Sequence, residues 1–473
     1  MAVKYITTTT PYVNSDPHIG FALEIIQADA WARAQTLAGY DVVFNTGTDE
    51  HGAKIYEKAV AQGKDPQTYV DEYAKKFKQL KSLLNLSFTN FIRTTDAYHK
   101  KAAQAFWKKC AENGDIYKKN YQVKYCVGCE LAKTDSELDK DGHCPLHPNR
   151  ELDLIDEENY FFRFSTYQKK LLELYDNQKD FVLPSHRLEE IRNFVATGLE
   201  DFSISRLKEK MPWGVPVPGD DAHVMYVWFD ALVNYISTIG WPHDMDTFKK
   251  TWPVVQVAGK DNLRQQSAMW QAMLFSAGLE TSKQIIIHGF ITMNGQKISK
   301  SLGNVIDPFE LVEKYGIDPV RYYLLREIPT LGDGDYSHTR MKQLYESDLA
   351  NELGNLLSRV TTLAEKDHIT IRRKQKTLNS TILKLINTFQ LNQALEIIWE
   401  EIKVINKNIN EEAPWRQSAN ERKDNLTKWL SRLNQIGHNL APFLPETAEK
   451  IVAATSGEIQ KIKPLFPRIE KSN

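Results

Sequence analysis

The sequence has few cysteines, almost no net charge and no long apolar run. Four cysteines in 473 residues are too few for a disulfide scaffold. A formal net charge of -1 gives no overall field that would attract nucleic acid, so such a partner would have to bind local patches. No apolar stretch approaches the roughly 20 residues of a membrane-spanning helix. The N-terminus also lacks the layout of a signal peptide, so we expect a cytosolic protein that does not enter membranes.

What the chain does contain is ordinary for a folded protein. Hydrophobic residues make up 42% of it and charged residues 26%, as is typical of globular proteins. Its length predicts about three domains.

The first 115 residues predict a βαβ unit. Residues 3–9 form a β-branched, apolar run, and residues 41–45 form a second. Between them, apolar residues recur at helical spacing: Ile19, Leu23, Ile26, Ala30, Ala34 and Leu37. A strand, a long helix and a second strand indicate an α/β fold with a parallel sheet.

Polar residues follow both strands, where parallel sheets bind ligands. His18 and Gly20 lie at the predicted helix N-terminus, whose unpaired N–H groups favour an anion. Residues 46–52, with the sequence Thr-Gly-Thr-Asp-Glu-His-Gly, bring Asp49 and His51 to the same edge. Taken singly, Asp49 is better explained as a helix cap and His51 as a surface residue.

A cationic segment, Lys-Ile-Ser-Lys-Ser, occupies residues 297–301 and is preceded by glycines. Lys297 and Lys300 could neutralise the charge that develops during transfer from a polyphosphate. On composition alone, an exposed loop without a catalytic role explains the segment equally well.

Two short clips predict a metal site: Cys126 with Cys129, and Cys144 with His147. Three thiolates and one imidazole suit tetrahedral zinc with no open position, so the metal would be structural. The alternative is a set of unrelated thiols. Cys110 is left over and is expected to be a buried helix residue.

The last 130 or so residues predict a helical bundle, because leucine and isoleucine recur there every three or four residues with few strand signals. Residues 372–376 are basic, and a solvated turn is as good an interpretation as a phosphate contact.

Taken together, His-Ile-Gly at 18–20, the segment 46–52 and the lysine segment 297–301 resemble the class I aminoacyl-tRNA synthetases. The segment 46–52 is similar specifically to that of the methionyl-tRNA synthetases. The resemblance implies a Rossmann-like catalytic domain, an inserted connective domain with one zinc knuckle, and a C-terminal α-helical bundle. The implied boundaries are residues 1–115 and 225–305 for the two catalytic halves, 116–224 for the insertion, 306–340 for a connector and 341–473 for an anticodon-binding domain.

The resemblance also implies the activity and its residues. L-Methionine would react with ATP and magnesium to form methionyl-adenylate, and then be transferred to initiator and elongator methionine tRNAs. His18, Lys297 and Lys300 would be catalytic. ATP would contact these three residues together with Gly20, Glu24, Asp261, His288 and Gly289. The amino acid would contact Thr10, Tyr12, Asp49, Trp228, Ala231, Tyr235 and Gln266. The anticodon would contact Asn355, Arg359 and Trp415.

Two positions depart from the family pattern. Phe21 stands where the signature usually has a second histidine, and it cannot donate a hydrogen bond. Glu24 or Gln27, one turn further on, could compensate. Gln266 stands where many members have a histidine near the substrate sulfur, and it could still offer an amide donor.

Three expectations remain to be distinguished by experiment. The first is methionine activation. The second is the same chemistry on another aliphatic amino acid, although an insertion of about 110 residues leaves little room for an editing domain. The third is a tRNA-binding relative that has lost catalysis. The chain lacks the dimerising domain that some members append, so we expect a monomer.

Overall fold

The structure is a computed structural model that describes residues 2–129, 131–133, 137–298, 304–372 and 377–468. Its first part contains three strands and four helices: β1 Val3–Thr7, α1 Ile19–Leu37, β2 Asp41–Thr48, α2 Ala53–Ala61, α3 Pro66–Leu83, β3 Asn90–Arg93 and α4 Ala97–Glu112. The predicted βαβ unit is present. Helix α1 starts where the His18 side chain accepts a hydrogen bond from the Gly20 amide, which caps the helix.

The next part is mostly antiparallel. Its elements are β4 Ile116–Cys126, β5 Leu131–Lys133, β6 Asp153–Phe162, α5 Gln168–Asn177, β7 Val182–Leu183, α6 Ser185–Ala196, β8 Phe202–Ser203, β9 Ser205–Leu207, β10 Pro216–Val217 and β11 Asp220–Met225. Strands β5, β4, β6 and β8 form one sheet in that order, and β10, β11 and β9 form another. The long β4–β6 hairpin carries the two cysteine clips.

The chain then returns to the central sheet. Its elements are α7 Val227–Ala231, α8 Asn234–Ser237, α9 Met245–Thr251, β12 Val255–Gly259, α10 Trp270–Ser276, β13 Gln284–His288, β14 Ile291–Met293 and β15 Gln296–Lys297. The sequence predicts a single helix through Trp228 and Tyr235, but the structure breaks it into α7 and α8. A π-helical turn, Gln265–Met269, leads into α10.

Six parallel strands form the central sheet in the order β3-β2-β1-β12-β13-β7. Ile6 of β1 lies in register between Phe44 and Val255. The strand order reverses between β1 and β12, and a crevice opens at the carboxyl ends of strands at such a point. Strand β7 is an edge strand that the sequence did not predict, because it pairs with β13, which follows it by about 100 residues.

The remaining elements are mainly helical: α11 Pro308–Tyr315, α12 Ile317–Arg326, β16 Gly334–Tyr336, α13 His338–Leu344, α14 Asn355–Lys366, β17 Thr370–Ile371, α15 Ser380–Asn387, α16 Leu391–Glu412, α17 Ala419–Leu440, α18 Pro445–Ala454 and β18 Gly457–Glu458. This arrangement confirms the predicted helical bundle. A buried ion pair joins it to the sheet: Arg321 contacts Asp29 of α1 at 2.7 Å and donates to the carbonyls of Pro442 and Phe443.

The sheet separates two apolar cores. Ile286 contributes to the core on the α1 side, which continues into the bundle, whereas its neighbours Ile285 and Ile287 face the core built around α4 and α10. Across the described part of the chain, none of the helices combines the length and apolar character needed to cross a membrane.

Candidate active site

The first strand and the helix after it bring His18 to the crevice. Its Nδ1 accepts from the Gly20 amide at 3.1 Å, so the neutral ring carries its proton on Nε2. A Cβ on residue 20 would lie 3.0 Å from this ring, which explains why glycine suits the position. His18 is exposed at the start of α1, so the N–H groups of the helix and the imidazole face the same region.

Phe21 belongs to the core. Its ring meets that of Phe77 on α3 edge-on at a centroid distance of 5.6 Å, and the residue is 8% exposed. The suggested compensation by Glu24 finds no support in its contacts, because its carboxylate acts as a hydrogen-bond acceptor. Gln27 donates to the carbonyl oxygen of Thr330 at 3.4 Å.

Glu24 connects the two sides of the strand reversal. One carboxylate oxygen accepts from the amide and hydroxyl of Thr9 at 2.7 and 2.6 Å, and the other pairs with Nε2 of His288 at 2.9 Å. Nδ1 of His288 lies 2.8 Å from the Gly289 carbonyl. Burial lowers the pKa of His288, but the hydrogen bond and charge of Glu24 outweigh it, so the pKa is raised. Because Nε2 faces a carboxylate and Nδ1 faces a carbonyl, both ring nitrogens can donate at once, as they do in the protonated form of the imidazole.

Some residues of the segment 46–52 belong to the predicted amino-acid site, and others hold the surrounding fold together. Asp49 is held by its backbone, which exchanges hydrogen bonds with Pro11 and Val13 on either side of Tyr12. Tyr12 and Asp49, both predicted to bind the amino acid, are thus adjacent. Thr10 lies in the same loop. The neighbouring Glu50 is buried and forms a bidentate ion pair with Arg93 at 2.7 and 2.9 Å.

His51 also has a scaffold role that its sequence did not reveal. Its Nδ1 contacts Asp230 of α7 at 2.5 Å, and His99 of α4 contacts the other oxygen of Asp230 at 2.8 Å. Burial raises the pKa of Asp230, but the two imidazoles outweigh it and lower the pKa to about 2. This buried triad fixes the segment 46–52 against α7, which carries Trp228 and Ala231.

The predicted amino-acid pocket is built on α7 and α8. Ala231 and Tyr235 are buried, and the indole N–H of Trp228 has no hydrogen-bond partner among the described residues. Gln266 is also buried, but its amide donates to the Tyr235 hydroxyl at 2.8 Å. The amide donor that the sequence predicted for the substrate is therefore directed to a tyrosine instead. Gln256 was missed, although a glutamine inside an apolar strand is a signal of a buried polar network.

The predicted nucleotide wall follows β12 and β13. A Cβ on Gly289 would lie 2.3 Å from the backbone of Asp333, so this turn needs glycine, whereas a Cβ on Gly259 would lie 2.7 Å from the Asp261 carboxylate, which would have to shift. Lys260 pairs with Asp333 at 2.7 Å, and Asp333 also accepts from the Phe290 amide at 2.8 Å.

A hairpin formed by β14 and β15 ends at Lys297. Asp335 accepts from the Gly295 amide in its turn at 2.7 Å and from the Thr292 hydroxyl at 2.6 Å. Lys300 and the side chain of Lys297 lie outside the described residues, so their predicted catalytic roles remain predictions. Asp335 was not singled out from the sequence.

The two clips come together as predicted. The ligand atoms of Cys126, Cys129, Cys144 and His147 all lie within 4.8 Å of one another. A Cβ on Gly128 would lie 2.4 Å from the His147 ring, so glycine is required for the imidazole to reach the thiols. Three thiols and one imidazole fit a tetrahedral metal ion. Lys54 of α2 donates to the Gly128 carbonyl at 2.7 Å and ties this knuckle to the site.

The predicted anticodon residues lie at one end of the bundle. Asn355 and Arg359 are one turn apart on α14, and the Arg359 guanidinium lies 5.9 Å from the Trp415 ring centroid. Trp415 is 53% exposed. An exposed aromatic ring beside a cation is a surface on which an unpaired base can stack.

Comparison with known proteins agrees with this architecture. Residues 4–153 and 149–361 match the family described as "tRNA synthetases class I (M)". The chain is 43% identical to the methionine–tRNA ligase of Thermotoga maritima, over 96% of this chain and 75% of that one. It is 41% identical to the methionine–tRNA ligase of a Synechocystis strain, over 95% of this chain and 89% of that one.

The solved structures give the same result. The methionyl-tRNA synthetase of Mycobacterium tuberculosis in complex with methionyl-adenylate superposes with a TM-score of 0.91 at 35% identity, covering 99% of this chain and 100% of that one. Sheet, crevice and bundle together define a class I aminoacyl-tRNA synthetase. Within that class, the chain belongs to the methionyl-tRNA synthetase family.

Proposed function

We propose that the protein activates L-methionine with ATP to methionyl-adenylate and transfers the methionyl group to both initiator and elongator methionine tRNAs. The observation that carries this proposal is the convergence of His18, Asp49, Asp261 and His288 at the carboxyl ends of neighbouring strands. The near full-length similarity to methionine–tRNA ligases supports the same substrate.

In the first step, the substrate carboxylate attacks the α-phosphorus of ATP, and the bond to the bridging oxygen breaks to release pyrophosphate. Asp49 provides a carboxylate for the substrate ammonium group. His18 is exposed beside the N-terminus of α1, and its protonated Nε2 could donate to a phosphate oxygen. Lys297 and Lys300 would neutralise the leaving pyrophosphate. In the second step, a ribose hydroxyl at the tRNA end attacks the acyl carbon and AMP leaves.

Two metal ions have different roles in this proposal. Magnesium would accompany ATP and neutralise part of its phosphate charge. Zinc would be held by Cys126, Cys129, Cys144 and His147, one ion per chain, and would supply a structural cross-link. Because Lys54 bonds the knuckle backbone and its ammonium lies 5.8 Å from the Tyr12 ring centroid, the cross-link would support the amino-acid pocket. The five domain ranges, the cytosolic location and the monomeric state remain predictions.

Amino-acid-dependent exchange between ATP and pyrophosphate tests the proposal. We expect exchange with methionine and little with the other nineteen amino acids, followed by charging of initiator and elongator methionine tRNAs. No exchange with methionine, or a clear preference for another amino acid, would overturn it.

Substitution Lys300→Ala separates an enzyme from a tRNA-binding relative without catalysis. We expect it to abolish exchange and to leave tRNA binding intact, because the lysine acts on pyrophosphate. Lys75→Ala, at an exposed position of α3, is the matched control and should change neither assay. Equal exchange by wild type and Lys300→Ala would contradict the catalytic role.

A further inference from the structure

Beneath Tyr235 lies a chain of buried polar side chains that the mechanism above does not use. Its members are Gln271, Ser282, Gln256 and Gln266, and none is more than 2% exposed. Such groups are stable in a protein interior only when their donors and acceptors are matched. Here the hydrogen bonds from one side chain to the next all run in the same sense, each group donating toward Tyr235.

Backbone atoms fix that direction at one end. Oε1 of Gln271 accepts from the Ser282 amide at 3.0 Å, and Nε2 of Gln271 donates to the Gln266 carbonyl at 2.7 Å. A backbone amide can only donate and a carbonyl can only accept. The Gln271 side chain therefore cannot be turned over without losing both bonds.

The direction passes from one side chain to the next. Nε2 of Gln271 also donates to the Ser282 hydroxyl at 3.1 Å, so the Ser282 proton goes to Oε1 of Gln256. Nε2 of Gln256 then donates to Oε1 of Gln266 at 2.8 Å. Nε2 of Gln266 donates to the Tyr235 hydroxyl oxygen at 2.8 Å. Each group accepts on one side and donates on the other.

This chain of hydrogen bonds, which we call the relay, ends at the Tyr235 hydroxyl group. The proton of that hydroxyl takes no part in the relay. The Tyr235 oxygen accepts from Gln266, and no acceptor for its own proton is found among the described residues. Burial raises the pKa of Tyr235 most, and the negative charge of Glu24, whose carboxylate lies between Thr9 and His288, raises it further. The hydroxyl proton is thus held away from the relay.

We propose that this relay fixes the Tyr235 O–H toward the side chain of the bound amino acid and so favours a side chain with an acceptor atom over a hydrocarbon of equal length. The inference rests on the proposed function, for which the acceptor is the thioether sulfur of methionine and the matched hydrocarbon is norleucine. Gln256, Ser282 and Gln271 are positioning residues that act through Tyr235.

Substitution Gln256→Glu reverses the relay. An ionised carboxylate only accepts, so it takes bonds from Ser282 and from Nε2 of Gln266, and Gln266 then turns Oε1 toward Tyr235. The hydroxyl proton is withdrawn into the network. A protonated carboxyl group, which accepts and donates as glutamine does, restores the original direction. Burial raises the pKa of such a carboxyl group and brings its titration into an accessible pH range.

The measurement is the ratio of kcat/KM for methionine to that for norleucine in ATP–pyrophosphate exchange. Loss of one hydrogen bond predicts a ratio about tenfold lower for Gln256→Glu at high pH, recovering at low pH, with the KM for ATP unchanged. Gln256→Met, which has no acceptor or donor to pass on, should lower the ratio at every pH. Tyr235→Phe sets the lower limit, and adding Gln256→Glu to it should change the ratio no further.

Gln35→Glu is the matched control, because Gln35 is a buried glutamine of α1 bonded to Asn387 and remote from the relay. It should keep the wild-type ratio. Three results would overturn the relay. In Gln256→Glu, kcat/KM could fall equally for both substrates, or the ratio could stay at the wild-type value at all pH values. The effects of Gln256→Glu and Tyr235→Phe on the ratio could also be additive. If the wild-type protein shows no ATP–pyrophosphate exchange with methionine, the proposed function is refuted instead. Calorimetric binding of the two amino acids then decides the relay, which is refuted if Tyr235→Phe and wild type show the same preference.

Discussion

The two walls of the crevice are held by contacts of different kinds. The amino-acid wall rests on buried groups: Asp230 between two histidines, Glu50 on Arg93, and the relay beneath Tyr235. The nucleotide wall rests on exposed ones, since the Asp333 side chain that binds Lys260 is 58% exposed and Asp335 is also exposed.

This difference matches the demands of the two substrates. Selecting one amino acid requires donors that do not move, and buried, fully bonded side chains lose little when a ligand arrives. A polyphosphate must enter and leave, and a hairpin held by solvent-screened carboxylates can shift at small cost. Buried contacts should therefore govern stability and selectivity, whereas exposed ones should govern the use of ATP.

The largest effect is expected from Asp230→Asn on the amino-acid wall. Asparagine offers an N–H₂ group to one histidine and leaves buried partners mismatched, so we expect a loss of about 3 kcal/mol in the free energy of unfolding at neutral pH. Urea titration measures it. Asp333→Asn is the matched change on the nucleotide wall and should cost less than about 1 kcal/mol.

The pH dependence gives an independent check on Asp230. Its pKa is lowered from 3.8 to about 2 in the folded protein, so its contribution is present above pH 3.8 and is lost as the pH falls through about 2. The difference between wild type and Asp230→Asn should shrink over that interval. Equal costs for the two asparagine variants would contradict the contrast between the walls.

A smaller effect, on activity rather than stability, is expected from Asp335→Ala. The change removes the acceptor for Gly295 and Thr292, so the hairpin that ends at Lys297 loses its anchor. We expect kcat/KM for ATP to fall about tenfold in the exchange assay, with the unfolding free energy changed by less than about 1 kcal/mol. Asp335→Asn keeps an acceptor oxygen and should stay near wild type. If Asp335→Ala lowers the unfolding free energy as much as Asp230→Asn does, the nucleotide wall cannot shift at small cost.

Features carried by local patterns were predictable from the sequence. The cysteine clips are four residues long each, so their spacing alone predicts a shared ion, and the parallel βαβ unit follows from one strand–helix–strand stretch. Asp49 could be placed because it directly follows β2, and His18 because it lies at the start of the helix that follows β1. The helical bundle follows from leucine and isoleucine spacing.

Features that depend on distant partners were not predictable. Glu24 and His288 are 264 positions apart, and Gln266 and Tyr235 are 31 apart. No local spacing pairs such residues, since their contact depends on how strands are ordered in the sheet. For the same reason His51 and Glu50 could not be recognised as scaffold, and β7 could not be assigned to the central sheet.

The smallest effect is expected where the two walls meet, at the Glu24–His288 pair. The pKa of His288 is raised above its ordinary 6.5, so the pair's contribution to stability is complete below that value and declines as the pH rises through the raised pKa. Glu24→Gln presents an amide N–H₂ to Nε2, which favours neutral His288, so the advantage of wild type should fall by about 1 kcal/mol as the pH rises from 6.5 through the raised pKa. Urea titrations across that range measure it, and the His288 proton resonance reports the pKa directly. Asp261→Asn, which removes a more distant charge, should lower that pKa less than Glu24→Gln does. If the difference in unfolding free energy between wild type and Glu24→Gln does not change with pH, Glu24 holds His288 by shape and not by charge.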